Sequence, residues 1–270
     1  MSVFIGSQDV VVVSRESVGD SDPRSIIASN VDFVNALFEE YLRPEEISQD
    51  ALLGYYVDYY LAQVTNGGFS QFVYNTGWQP VVVEAVKSGL TAIEASRHLE
   101  LFERGERVAE REPSKLSKFL ASAFFGKNDE RDRFDSITMR FFEIQKIEDL
   151  DLLNAAWLKS RPGLCVVPKS EMRQQISIRA SRVGDRDVRI AEARSREPHY
   201  AKCIRTLCDA AGHTLETITG GDPTNEYKGQ NVLAWYFITD KGHHYMVEVG
   251  GKAIMFDGKT RQVVAEIALA

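Results

Sequence analysis

The sequence predicts a mainly α protein: a multi-helix bundle domain followed by a small α+β domain with an antiparallel meander. Three observations predict it. Apolar residues recur at helical spacing through residues 31–157. Composition turns basic at Ser160-Arg161-Pro162-Gly163. Beyond Pro198, one helical run gives way to short β-rich runs separated by Lys241-Gly242, Gly250-Gly251 and Asp257-Gly258, pairs suited to hairpin turns. The expected divisions are an N-terminal segment 1–27, a helical domain 28–160, a basic linker or exposed helix 161–196, and an α+β domain 197–270.

Taken in order, residues 10–13 form a short strand, and Gly19-Asp20-Ser21-Asp22-Pro23 reads as a flexible loop. Asn30 is the expected cap of a first amphipathic helix carrying Val31, Val34, Leu37, Phe38, Tyr41 and Leu42, which Pro44 ends. A second helix begins near Ser48 or Asp50 and places Leu52, Leu53, Tyr56, Val57, Tyr60, Leu61 and Val64 on one broad face. Asn66 and Gly67 suit the left-handed positions that stop a helix, and Gly68 lets the chain turn before a short helix with Phe69, Phe72 and Val73. Pro80 opens the next helix. Helices at 91–110, 114–124, 129–145 and 149–159 follow, with Phe119, Leu120, Phe124, Phe134, Ile137, Phe141, Phe142, Leu150, Leu153 and Trp157 as apolar positions. The last part holds a helix at 200–211 and strands at 214–218, 232–239, 243–249, 253–256 and 262–267.

Composition narrows the classes of function. The longest apolar runs, 10–13 and 81–83, fall far short of the roughly 20 residues a bilayer helix needs, so no membrane span is expected. Met1-Ser2-Val3-Phe4-Ile5 carries no basic stretch and Asp9 interrupts the apolar residues around it, so no secretory leader is expected and the location is read as cytoplasmic. Three cysteines, Cys165, Cys203 and Cys208, form no paired zinc spacing and fit reduced thiols. Residues 1–158 carry 26 acidic and 15 basic side chains, against 13 and 17 in residues 159–270. An acidic first part disfavours direct nucleic-acid contact through phosphates and permits a basic protein partner, although solubility alone also explains it.

Residues 55–77 are the most informative stretch, an aromatic-rich helix interrupted by Asn66-Gly67-Gly68. Together with Phe69, Gln71, Phe72, Asn75 and Gly77, the later Arg133-Phe134-Asp135-Ser136 and Phe141-Phe142, and the closing Leu152, Leu153 and Trp157, it resembles the bacterial DNA-mimic protein nineteen family over about residues 28–160. The resemblance implies an all-α, dimer-forming domain whose carboxylates imitate DNA phosphates and occupy a DNA-binding protein. Asn66, Gly67, Gly68, Phe69, Gln71, Phe72 and Asn75 mark its scaffold, not a catalytic centre. Duplex DNA carries one charge per roughly 1.7 Å of axis, so a mimic must hold many unneutralised carboxylates on a rigid face. Glu39, Glu40, Glu45, Glu46 and Asp50 form one candidate cluster, interrupted by Arg43, and Glu148, Asp149 and Asp151 a second. Glu100 with Arg104 and Glu103 with Arg107 stand four apart and are expected to pair. Residues 129–133 are likewise self-neutralising.

Other chemistry is thinly supplied. Neither Gly-x-Ser-x-Gly nor a Walker-type loop occurs, and Thr219-Gly220-Gly221-Asp222-Pro223 reads as a turn. His199 and Cys203 stand at i, i+4, where one of His243 and His244 could join them on a metal, but the preferred reading is a buried thiol and surface histidines, with no metal and no cofactor. Trp235, Tyr236 and Phe237 run consecutively, so at least one must leave the sheet's buried side. The functional expectation is a non-enzymatic acidic protein-interaction module, with DNA mimicry as its sharpest form. Two readings stay open: an enzyme or small-ligand binder with a pocket near residues 66–75, and an immunity or antitoxin-type blocker.

Overall fold

The computed structural model describes residues 6–269, so the expectation placed on Met1-Ser2-Val3-Phe4-Ile5 lies outside the described residues. The chain divides into two compact units, Met1–Arg186 and Asp187–Ala270. No helix of the described residues is long and apolar enough to cross a membrane.

The first unit opens with β1 (Val12–Ser14) and α1 (Arg15–Gly19), which Ser14 caps by accepting the Ser17 N–H. Helix α2 (Pro23–Glu39) starts more than a turn before Asn30. Asp22 accepts the Arg24 N–H at 2.8 Å, and Pro23 occupies a first position where no donor is needed, so the expected flexible loop is a cap. Asn30 lies mid-helix, fully buried, and its Nδ2 donates to the Ala51 carbonyl at 2.9 Å. A 3₁₀ turn (Pro44–Glu46) leads into α3 (Gln49–Thr76), capped by Ser48, whose path breaks at Gly67 and Gly68.

Helices α4 (Pro80–Ala92), α5 (Ser96–Glu110), α6 (Pro113–Leu120), α7 (Asp129–Asp132), α8 (Asp135–Gln145) and α9 (Leu150–Lys159) complete the bundle. The helix expected over 91–110 is two, because Glu94 takes a left-handed conformation (φ 60°) that lets Ile93 and Ala95 both be buried. The run 129–145 also divides, at Arg133 and Phe134. The core is aromatic: Tyr60 meets Phe69, Phe72, Phe102 and Phe141 edge-on at 6.3, 5.3, 5.2 and 5.5 Å. Phe142, expected inside, is 43% exposed, because Phe141 takes the inward position on α8.

Residues 165–180 are not a linker. Strand β2 (Cys165–Val167) pairs in parallel with β1, Val12 opposite Cys165, Val13 opposite Val166 and Ser14 opposite Val167. A 3₁₀ turn (Lys169–Glu171) and α10 (Met172–Ala180) follow. Arg179 is 8% exposed, 2.7 Å from Asp9 and over the Phe33 ring. Its stem buries apolar surface while its charge is paired, so a basic side chain serves the core without an aromatic anchor. Helix α11 (Arg186–Arg196) begins at the boundary between units and has no buried residue.

The second unit packs α12 (His199–Ala211) on an antiparallel sheet of β3 (Leu215–Asp222), β6 (Ala234–Thr239), β7 (Gly242–Val249), β8 (Lys252–Asp257) and β9 (Val263–Ala268), in that order. A small hairpin, β4 (Glu226–Tyr227) with β5 (Gln230–Asn231), was not expected. Gly220 and Gly221 lie inside β3, opposite Tyr236 and Trp235 after a register irregularity, and so do not form the expected turn. Phe237 and Met246 pack beneath α12, with Trp235 beside them. Tyr236 joins Tyr245 and Phe256 on the other face, where Tyr227 packs. Both faces are thus apolar, and all three consecutive aromatics have neighbours.

Candidate functional site

The break in α3 is built from its glycines. Gly68 sits at φ 80°, ψ 175°, which aims the Phe69 N–H at Thr138 Oγ1, 2.9 Å away on α8. Phe69 and Phe72 are fully buried. The amides satisfy one another: Asn66 Nδ2 donates to Gln71 Oε1 at 3.1 Å, Gln71 Nε2 to Gln63 Oε1 at 3.0 Å, and Asn75 Nδ2 to the same Gln63 oxygen at 2.7 Å. Gln63 is the hub of this chain, and sequence reasoning missed it. Its signal was its place on the helix N-terminal to the motif amides.

Beside the break lies a cavity of about 220 Å³ lined by Phe38, Tyr55, Tyr56, Tyr59, Asn75 and Gln79 among others. It is smaller than the roughly 300–1,000 Å³ of ordinary small-molecule sites. Burial raises the pKa of Tyr55, Tyr56 and Tyr59, so their hydroxyls stay neutral and supply no base at neutral pH.

The candidate carboxylates separate into two kinds. Glu40 forms an ion pair with the Arg186 guanidinium. Glu46 accepts the Arg43 N–H at 2.7 Å, and Asp50 lies 3.8 Å from Arg161. Glu148 accepts the Arg97 and His98 N–H groups at 3.3 and 2.9 Å, satisfying donors at the start of α5. Asp149 caps α9 through Asp151 N at 2.9 Å and Leu152 N at 3.3 Å. Asp151 shares Arg24 with Asp58, at 2.7 and 2.6 Å. Burial raises the Asp58 pKa against the opposing pull of Arg24.

Glu39 and Glu45, by contrast, are exposed and have no hydrogen-bond or ion-pair partner among the described residues. Asp32 joins them. It is exposed on α2, two turns before Glu39 and on the same face, and it too lacks such a partner among the described residues. Sequence reasoning missed Asp32 because the helix was started too late to show the seven-residue spacing. On α5 the expected Glu100–Arg104 and Glu103–Arg107 pairs are not closed among the described residues, and Glu106 instead meets Lys87 at 3.1 Å. Because residues 159–186 belong to the first unit, that unit carries 28 acidic and 22 basic side chains, net −6, and the second carries net −1.

In the second unit, His199 is exposed and Cys203 buried on α12. His199 Nε2 lies 3.5 Å from Cys203 Sγ and 3.2 Å from Oε2 of Glu248 on β7, a residue that sequence reasoning missed. Burial, then the Glu248 charge, raises the Cys203 thiol pKa. The His243-His244 pair does not join them. His243 is exposed, while His244 is buried, with Nδ1 3.0 Å from the Gly242 carbonyl and its ring beside His213.

A family model described as DMP19-like protein matches residues 45–161, from the 3₁₀ turn through α9, and includes the glycine break, the amide chain and Thr138. No curated protein and no solved structure matches the chain. The match begins later than the expected residue 28, so α2 and both strands of the first unit lie outside it although they share its core. Over residues 45–161, then, this chain is similar to the DMP19-like protein family.

Proposed function

We propose that the first unit is a non-enzymatic protein-interaction module that offers carboxylates to a basic protein surface, in the sharpest case the phosphate-binding face of a DNA-binding protein. The observation that carries this reading is the uncompensated set Asp32, Glu39 and Glu45 along α2 and its exit. Seven residues of helix separate Asp32 from Glu39 by about 10 Å along the axis. That is close to the Debye length of about 8 Å at physiological salt, so their fields overlap in front of a rigid helix. The family-marked break supports the same reading from the other side. Its amides are mutually satisfied, and its small cavity is lined by tyrosines, amides and a threonine, with no carboxylate, histidine or cysteine among its lining residues.

Affinity purification of the tagged full chain from its native cells tests the proposal, comparing wild type with Asp32→Lys/Glu39→Lys/Glu45→Lys and with a Glu143→Lys control. The expected result is a basic protein recovered with wild type and the control, lost with the triple variant, and eluted by moderate salt. Equal recovery by all three, or no specific protein at all, overturns it.

A further inference from the structure

We infer that His199 Nε2, Cys203 Sγ and the Glu248 carboxylate hold a zinc ion, with a fourth position open to solvent. The three donor atoms lie within 4.8 Å of one another. Zinc bonds of about 2.0–2.1 Å to nitrogen, 2.3 Å to sulfur and 2.0–2.2 Å to oxygen, at tetrahedral angles, place N and S about 3.6 Å apart and N and O about 3.4 Å apart. The observed separations are 3.5 and 3.2 Å. Two edges of the coordination tetrahedron are therefore already at zinc-compatible length, and the third, from Cys203 Sγ to the Glu248 carboxylate, lies within 4.8 Å and closes toward about 3.6 Å when the ion binds.

Hydrogen bonding alone serves this triad poorly. Nε2 is the shared atom of both short contacts, and one ring nitrogen carries either a proton or a lone pair. It cannot donate to Glu248 and accept from the Cys203 thiol at once. A metal satisfies all three atoms: the nitrogen as lone-pair donor, the sulfur as thiolate and the carboxylate as anion. The two negative ligands also balance the dication, leaving a half-buried site with no net charge.

The ligands come from rigid elements. Tyr200 stacks on Trp235 at 3.7 Å and 8°, fixing the start of α12 on the sheet. Buried Ile204 and Leu207 hold the same helix down, and Glu248 stands on the central strand β7, one residue past the end of its pairing with β6 and opposite Ala253 of β8. Imidazole and thiolate exclude the hard cations magnesium and calcium and suit zinc. Exposed His199 leaves one side of the site to solvent, which is where a water or an exogenous ligand would complete the tetrahedron.

The test uses the full chain stripped with a chelator and titrated with Co²⁺ as a spectroscopic probe. The expected result is one equivalent bound, a thiolate-to-cobalt charge-transfer band in the near ultraviolet, visible bands of tetrahedral intensity, and displacement of all of them by Zn²⁺. Cys203→Ser should abolish the charge-transfer band, while Cys208→Ser and Cys165→Ser keep it. His199→Gln and Glu248→Gln should each weaken zinc binding by at least about 10-fold in competition with a chromogenic chelator, since loss of a direct ligand exceeds the usual loss from an outer partner. His199 is exposed, so its variant keeps the fold and decides the assignment even if Cys203→Ser unfolds. No stoichiometric uptake, a charge-transfer band that survives Cys203→Ser, or unchanged zinc affinity in His199→Gln and Glu248→Gln would each overturn the assignment.

Discussion

Replacing Gly68 by alanine should destabilise the first unit far more than the same change at Gly77. At φ 80°, ψ 175°, Gly68 occupies backbone space that side-chain-bearing residues essentially avoid. Holding alanine there costs about 1–3 kcal/mol. The new Cβ would also stand 2.8 Å from Thr138 Oγ1, so that hydroxyl must move. Its movement breaks the bond from the Phe69 N–H, worth about 0.5–1.5 kcal/mol, and leaves that donor unsatisfied at the start of a buried helical segment. Together these give about 2–4 kcal/mol. Gly77 has φ 58°, ψ 18°, with nothing within 4 Å of an added Cβ, so only the left-handed cost of about 1–2 kcal/mol applies. Urea unfolding followed by far-ultraviolet circular dichroism, to which the helices of the first unit contribute most, measures both. Removing the clashing atom in Thr138→Ala should make the Gly68→Ala cost smaller, a non-additivity of about 1 kcal/mol. A Gly68→Ala cost no larger than that of Gly77→Ala, or strict additivity with Thr138→Ala, would refute the reasoning.

The two kinds of carboxylate should also differ in stability. Glu148→Ala strips the donors at the start of α5 and should cost about 1–2 kcal/mol, whereas Glu39→Ala and Glu45→Ala should stay within about 0.5 kcal/mol by the same unfolding assay. Tyr60 is fully buried among rings, and its hydroxyl has no partner among the described residues, so Tyr60→Phe should stabilise by about 1 kcal/mol; a loss of that size would reveal a missed hydrogen bond. Burial lowers the His98 pKa below its usual 6.5, opposed by the carbonyl of Glu148, to which Nε2–H donates at 2.9 Å. The unfolded chain therefore binds the proton first, and the stability present above pH 6.5 is lost as pH falls from there toward the folded-state pKa. Urea midpoints measured from about pH 7.5 down to about 5 should fall less steeply in His98→Gln than in wild type.

Where one local rule governed, the sequence was readable. The apolar face of α3, the place of its glycine break and the meander follow from spacing and turn chemistry, although the positive φ expected at Asn66 and Gly67 falls on Gly68 instead, with Gly67 at φ −151°. Errors arose where a cap competed with periodicity. Asn30 looked like a helix start, but Asp22-Pro23 is a better one, and the fold uses Asn30 to bond α2 to the Ala51 carbonyl of α3. The basic stretch after Arg161 read as solvated because charge pairing between residues far apart in the chain leaves no local pattern. Arg179 meets Asp9, and Arg186 meets Glu40. For the same reason the carboxylate clusters were legible as clusters but not by role, since capping and pairing depend on which helix end arrives beside them. At the zinc triad, the i, i+4 pair was visible on α12, but Glu248 arrives from a strand whose register only the fold sets.

The parallel pairing of β1 with β2 bears on how this protein is made. Val12 and Cys165 are separated by on the order of 150 residues, a distance a ribosome covers in roughly 8–30 s at about 5–20 residues per second. For that interval the apolar run Val10-Val11-Val12-Val13 has emerged without its strand partner. It is a β-prone segment whose backbone donors and acceptors have no strand partner until then. The helices of the segment matched by the family model can form in order as they appear, but the strand pair closes only after them. The chain's earliest strand thus waits for its partner until a tripeptide near the end of the first unit has been made.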